Sequence, residues 1–132
     1  MHTLAIRVYY EDTDFSGAVY HANYLRFLER GRTEMVRAAG IDQASLHAAS
    51  GVGFVVRRLS IEFPRPARMD DLLTVTTQPR EVRGASMTLH QEIARGEELL
   101  VTAEVVVAAV RRGRAVRIPD ALRSHARAGW QP

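Results

Sequence analysis

The chain has 132 residues, 46% of them hydrophobic, and a formal charge of +3 set by 18 basic residues, all arginine, against 15 acidic ones. The absence of cysteine excludes disulfides, thiolate nucleophiles and sulfur-ligated zinc or iron-sulfur sites, and the absence of lysine excludes Schiff-base chemistry and a P-loop lysine. This size and apolar content predict one domain over residues 1–132 with a real core.

The opening Met1-His2-Thr3-Leu4-Ala5-Ile6-Arg7 does not read as a secretory leader. No apolar run approaches the roughly 20 residues of a membrane span, so a soluble cytoplasmic protein with no transmembrane segment is expected. Charge is uneven: residues 1–110 carry 12 Arg and 14 Asp or Glu, whereas 111–132 carry six Arg and one Asp. The basic end could attract phosphates, but it lacks interleaved aromatic residues, so no nucleic-acid partner is expected.

Leu4, Ile6, Val8 and Tyr10 alternate as one face of an opening strand, which ends in an acidic turn. From about Ala22 to Ala39 the period changes. Tyr24, Leu28, Met35 and Ala39, with Leu25, Phe27 and Val36 beside them, form the apolar stripe of one long helix that Gly40 stops. A short helix follows from Asp42, its cap, to Ala49. Phe54 and Val56 share one parity and Leu59, Ile61 and Phe63 the other, which predicts a bulge near Arg57-Arg58.

Leu73 and Val75 mark a further strand, and Met87, Leu89 and Ile93 mark the next, with Arg95-Gly96-Glu97 turning into its successor. That last long strand places Leu99, Val101, Ala103, Val105, Val107 and Ala109 on one face, and it is apolar on both. Val116-Arg117-Ile118 reads as a short edge return, Pro119 opens a brief terminal helix, 121–132 reads as a terminal extension, and Trp130 as packing or loose tail. The expected class is α+β, a curved antiparallel sheet wrapped around one long helix. Its other face and its edges need cover, so at least a dimer is expected.

The run Tyr10-Glu11-Asp12-Thr13-Asp14-Phe15-Ser16-Gly17-Ala18-Val19-Tyr20-His21 holds the densest chemistry. Glu11, Asp12 and Asp14 could simply solvate a turn. An Asp-x-Asp pair could supply oxygen ligands to a metal, although neither a calcium-loop spacing nor a histidine cluster follows, and phosphoryl transfer would need alternating strands and helices that are absent. The remaining reading sets Asp14 against the free amides of a helix entered around Val19 to Asn23. A carboxylate facing such amides is the minimum equipment for acyl transfer to water. Thioesters suit it, because a thiolate leaves without a dedicated acid, and Asp14 could act as nucleophile or as general base. His21 serves through its side chain or, preferably, its backbone amide, and Tyr24 and Phe27 could wall an acyl pocket.

That segment, continued by Phe27-Leu28-Glu29-Arg30-Gly31-Arg32-Thr33-Glu34, resembles the active-site segment of hotdog-fold acyl-CoA thioesterases. It is most similar to the branch associated with the bacterial Tol-Pal envelope system and related to 4-hydroxybenzoyl-CoA thioesterase. Similarity extends through Ser60-Ile61-Glu62-Phe63, Pro66-Ala67-Arg68, Asp70-Asp71-Leu72-Leu73, Gly84-Ala85-Ser86 and Gln91-Glu92-Ile93, nearly residues 4–120.

The resemblance implies a hotdog fold assembled as dimers and commonly tetramers, with active sites at subunit interfaces. It implies Asp14 as catalytic carboxylate and the His21 amide as the group that polarises the thioester carbonyl. No cofactor or metal is expected beyond the CoA of the substrate. His21-Ala22 departs from the Tyr-Pro pair of the hydroxybenzoyl enzyme, leaving short-chain or other acyl-CoA esters and acyl carrier protein open. Arg57, Arg58, Arg83 and the Arg111–Arg117 region are candidates for the CoA phosphates. The alternative is a non-catalytic acyl-binding or envelope-associated scaffold of the same fold.

Overall fold

Helix α1 (Asn23–Ala38) is built of good helix formers and buries Tyr24, Phe27, Leu28, Gly31, Met35 and Val36 along one stripe. In the computed structural model, which describes residues 1–129, that stripe packs into a curled antiparallel sheet. Trp130 lies outside the described residues. Strand β1 (His2–Arg7) precedes the helix; α2 (Gln43–Ser50), β2 (Gly53–Glu62), β3 (Leu72–Val82), β4 (Ser86–Arg95), β5 (Glu98–Arg111), β6 (Arg114–Ala115) and α3 (Asp120–Gly129) follow it. The strand order is β1-β3-β4-β5-β2, with β6 paired to β5.

The sheet's inner face comes from alternate residues: Leu73 and Val75 on β3, Met87, Leu89 and Ile93 on β4, and Val101, Ala103, Val105 and Val107 on β5, all buried. Phe27 and Leu28 retain no solvent exposure, and each such side chain contributes about 2 kcal/mol by leaving water. Glycine at position 31 allows the helix to approach closely. A Cβ there would stand 2.7 Å from Val75 Cγ1 and 3.0 Å from Thr77 Oγ1. Below it, buried Gln91 donates to the Leu28 carbonyl at 3.0 Å and to Thr77 Oγ1 at 2.9 Å.

The expected bulge occurs where the β2–β5 register shifts between Val56 and Arg58. A second shift, between Ile93 and Ala94 against β5, corrects the reading of Leu99. The register passes from Ile93↔Val101 to Ala94↔Leu99, so Leu100 is the extra residue; it turns inward and is buried while Leu99 is exposed. Tyr10 likewise leaves the inner face, because the chain turns through a single 3-10 turn over Tyr10–Asp12. The edge return is two residues of strand, Arg114–Ala115, and the terminal helix is longer than expected; its Leu122 and Ala126 are buried, as is Ile118 before it.

Candidate active site

Two helices of this chain begin differently. At α2, Asp42 caps in the usual manner, accepting from the Ser45 amide at 3.1 Å. At α1 the capping position is Ala22, with no side-chain cap and no acidic residue in the first turn. An uncapped helix start leaves backbone N–H groups for another acceptor, and the helix dipole favours negative charge there.

The turn ahead of α1 decides which amides stay free. Of those from Val19 to Asn23, the Val19 amide donates to Ala67 O at 2.8 Å, Tyr20 to Asp12 O at 3.0 Å and Asn23 to Tyr20 O at 2.7 Å. Among the described residues, the His21 and Ala22 amides have no acceptor within the chain. Of the helix-entry amides expected around Val19 to Asn23, two adjacent ones thus remain free.

Asp12, 7% exposed, anchors this turn. Its Oδ2 accepts from the Tyr9 amide at 2.8 Å, and its Oδ1 accepts from Asn23 Nδ2 at 2.7 Å. Both oxygens of the first aspartate are therefore engaged, so the Asp-x-Asp spacing does not present two free carboxylates. Between Asp12 and Tyr20 the chain folds back on itself: Thr13 bridges Val19, the Asp14 amide donates to Ala18 O at 2.9 Å, and the Gly17 amide donates to Asp14 O at 3.0 Å. Gly17, at φ +84°, makes that reversal.

Asp14 is exposed at the rim. Its Oδ1 accepts from the Ser16 hydroxyl at 2.5 Å and the Ser16 amide at 2.8 Å. These bonds, the hydroxyl's first, hold its carboxyl below the usual range; desolvation opposes them and the nearby His21 ring adds to them. Asp14, Ala22, Asp12, Asn23, Tyr20 and Arg26 share an open hollow of about 240 Å³. Asp14 and Ala22, the uncapped start of α1, thus line one cavity, and His21 stands next to it in sequence without lining it.

The His21 ring stands 4.7 Å from Tyr20 and 6.4 Å from Phe63, centroid to centroid, and Phe63 in turn lies 5.6 Å from Tyr24. Tyr24 and Phe27 are core residues of the single chain. Phe27 is fully buried, and Tyr24 accepts at its hydroxyl from the Ala67 amide at 2.8 Å, while burial raises the phenol's pKa. Tyr24 thereby fixes the segment between β2 and β3 whose Ala67 carbonyl receives the Val19 amide.

Arg57, Arg58 and Arg83, distant in sequence, come together around a second hollow of about 410 Å³ with Ser86 and Thr88. Glu81 pairs with Arg83 at 3.0 Å in an exposed bridge, an arrangement worth at most about 1 kcal/mol. The two hollows share no lining residue. Residues that sequence reasoning passed over are Asp12 and Asn23 as a buried pair, Ser16 on Asp14, and Phe63 beside His21. The serine two positions after an aspartate in a glycine turn is itself a turn signal, whereas the other contacts depend on tertiary placement.

Residues 8–125 match the family described as the thioesterase-like superfamily. The acyl-CoA thioester hydrolase YbgC of Escherichia coli O6:H1 is 47% identical over 106 residues, 80% of this chain and 78% of the relative. The acyl-CoA thioesterase YbgC of Haemophilus influenzae is 45% identical over 109 residues, covering 83% and 80% respectively. In structure, a probable thioesterase from Bartonella henselae superposes with a TM-score of 0.86 at 44% identity, over 89% of this chain and 98% of that one. With its curled antiparallel sheet around α1 and a match across nearly its whole length, this chain belongs to the thioesterase-like superfamily and has the hotdog fold.

Proposed function

We propose that this protein hydrolyses acyl-CoA thioesters to a free acid and CoA, with Asp14 as the reacting carboxylate and the His21 amide as oxyanion donor. The observation that carries the reading is the shared hollow in which exposed Asp14 meets the uncapped start of α1. Two curated relatives named as acyl-CoA thioester hydrolase and acyl-CoA thioesterase support the choice of substrate.

Water attacks the thioester carbonyl as Asp14 takes its proton, or Asp14 attacks directly and the resulting anhydride is then hydrolysed. In either case negative charge moves onto the carbonyl oxygen, where the His21 amide, with its Ala22 neighbour, stabilises it more than it stabilises the neutral carbonyl. The tetrahedral intermediate collapses with loss of the CoA thiolate, which takes up a proton. The backbone suffices for the His21 role, because an amide N–H polarises the carbonyl whatever side chain its residue carries.

Arg57, Arg58 and Arg83 supply the charge for the phosphates of CoA, or for the phosphopantetheine of acyl carrier protein. Tyr24, buried on Phe27, backs the exposed ring of Phe63, and Phe63 offers the acyl group an apolar surface beside His21. A second copy of the chain completes the assembly: β2 is an edge strand whose Val55 and Val56 are 44% and 47% exposed. No helix among the described residues is long and apolar enough to cross a membrane, and a cysteine-free chain suits the reducing cytoplasm.

The test is release of free thiol from acyl-CoA esters of graded chain length and from aromatic ones. Turnover of at least one class is expected. Binding of every class without thiol release would instead make the protein an acyl-binding scaffold.

A further inference from the structure

An exposed carboxylate on a loop samples several rotamers and offers either oxygen to its surroundings, whereas attack on a carbonyl needs reacting atoms held about 3–3.5 Å apart in one orientation. Asp14 is exposed, yet it is held at one oxygen only. Ser16 donates to Oδ1 twice, from its hydroxyl at 2.5 Å and its amide at 2.8 Å. Among the described residues, no group donates to Oδ2.

The hydroxyl donates because an ionised carboxylate only accepts, and a third residue holds the hydroxyl oxygen in place. The Ala18 amide donates to Ser16 Oγ at 3.3 Å. A serine hydroxyl has one proton and two lone pairs, so that contact occupies a lone pair and the proton remains for Asp14. The surrounding backbone is closed by the Asp14 amide on Ala18 O and the Gly17 amide on Asp14 O. Ser16 is thus locked before it locks Asp14.

We propose that Ser16 is a positioning residue for Asp14: by occupying Oδ1 it fixes the carboxylate plane and leaves Oδ2 as the oxygen presented to the thioester or to the attacking water. The proposal rests on the assignment of Asp14 as the reacting carboxylate. Hydrogen bonds to the ionised form also keep Asp14 charged at lower pH, so loss of the hydroxyl moves the acid limb of the rate profile upward in pH.

The test compares the full-length protein with Ser16→Ala, which keeps the amide and loses the hydroxyl, and Ser16→Thr, which restores a hydroxyl. One readout is the carbon-13 titration of the Asp14 carboxyl; the other is the pH dependence of thiol release. In Ser16→Ala both should move to higher pH together and kcat should fall about tenfold, part of the ~10²-fold that misplacing a reacting group costs; Ser16→Thr should recover both. An Asp14 carboxyl that titrates unchanged in Ser16→Ala overturns the inference. A carboxyl that moves while the acid limb stays fixed shows that the rate does not depend on Asp14, which overturns the catalytic assignment and the role of Ser16 with it.

Discussion

Asn23 Nδ2 donates to Asp12 Oδ1 at 2.7 Å, with both residues 7% exposed, and ties the first residue of α1 to the turn that carries Asp14. Because Asp12 also receives the Tyr9 amide at 2.8 Å, Asp12→Ala leaves one buried and one partly buried donor without partners. The expected loss is about 3 kcal/mol of folding stability, read from urea denaturation. Turnover per folded molecule should fall as well, because the turn and the helix start lose their common anchor.

Gly31→Ala sets two effects against each other. Alanine gains about 1 kcal/mol in helix propensity, but its Cβ would meet Val75 Cγ1 at 2.7 Å and Gln91 Nε2 at 3.2 Å. Overpacking of this kind costs about 1–3 kcal/mol, and Gln91 is held in place by the Leu28 carbonyl and Thr77. Net destabilisation of about 1 kcal/mol is predicted. A thermal midpoint at or above that of the parent would show that the helix can lift without penalty.

On the outer face of the sheet, His90 Nδ1 lies 2.6 Å from Glu104 Oε1 and Nε2 lies 3.0 Å from Glu92 Oε1. Partial burial disfavours the charged ring, but the two carboxylates outweigh it and raise its pKa above the ordinary 6.5. A raised folded-state pKa stabilises fully below the unfolded value, and the contribution disappears as pH rises through the folded one. The stability advantage over His90→Gln should therefore be larger at about pH 5.5 than at about pH 8.5. Denaturation midpoints that differ equally at both pH values would contradict this.

The arginine hollow predicts a split between substrates. Arg58→Gln combined with Arg83→Gln should raise KM for a CoA thioester about tenfold, since charged hydrogen bonds to phosphate are lost, and leave kcat nearly intact. The matching pantetheine thioester, which lacks the nucleotide phosphates, should show no change. An equal effect on both substrates would place the CoA phosphates elsewhere.

The α1 stripe, except Leu25, which is exposed, the Asp42 cap and the bulge near Arg57-Arg58 were legible because each is a local pattern of period, cap or parity. Leu99 and Tyr10 were misplaced because a one-residue bulge and a single 3-10 turn each change parity without altering composition. At the site, Asp14 stood out by its turn and by the helix that follows. Which helix amides remain free was not legible, since Val19 is satisfied by Ala67 across the fold. The convergence of Arg57 and Arg58 with Arg83 likewise depends on β2 and the β3–β4 connection meeting across β5 rather than on spacing along the chain.

The most direct measurement is thiol release by Asp14→Asn, an isosteric change at an exposed position that leaves the core untouched. With folding confirmed by circular dichroism, kcat on the best acyl-CoA substrate should fall by about 10³-fold or more, the loss expected when a nucleophile or general base is removed. Turnover within about threefold of the parent would contradict the assignment of Asp14 as the reacting carboxylate.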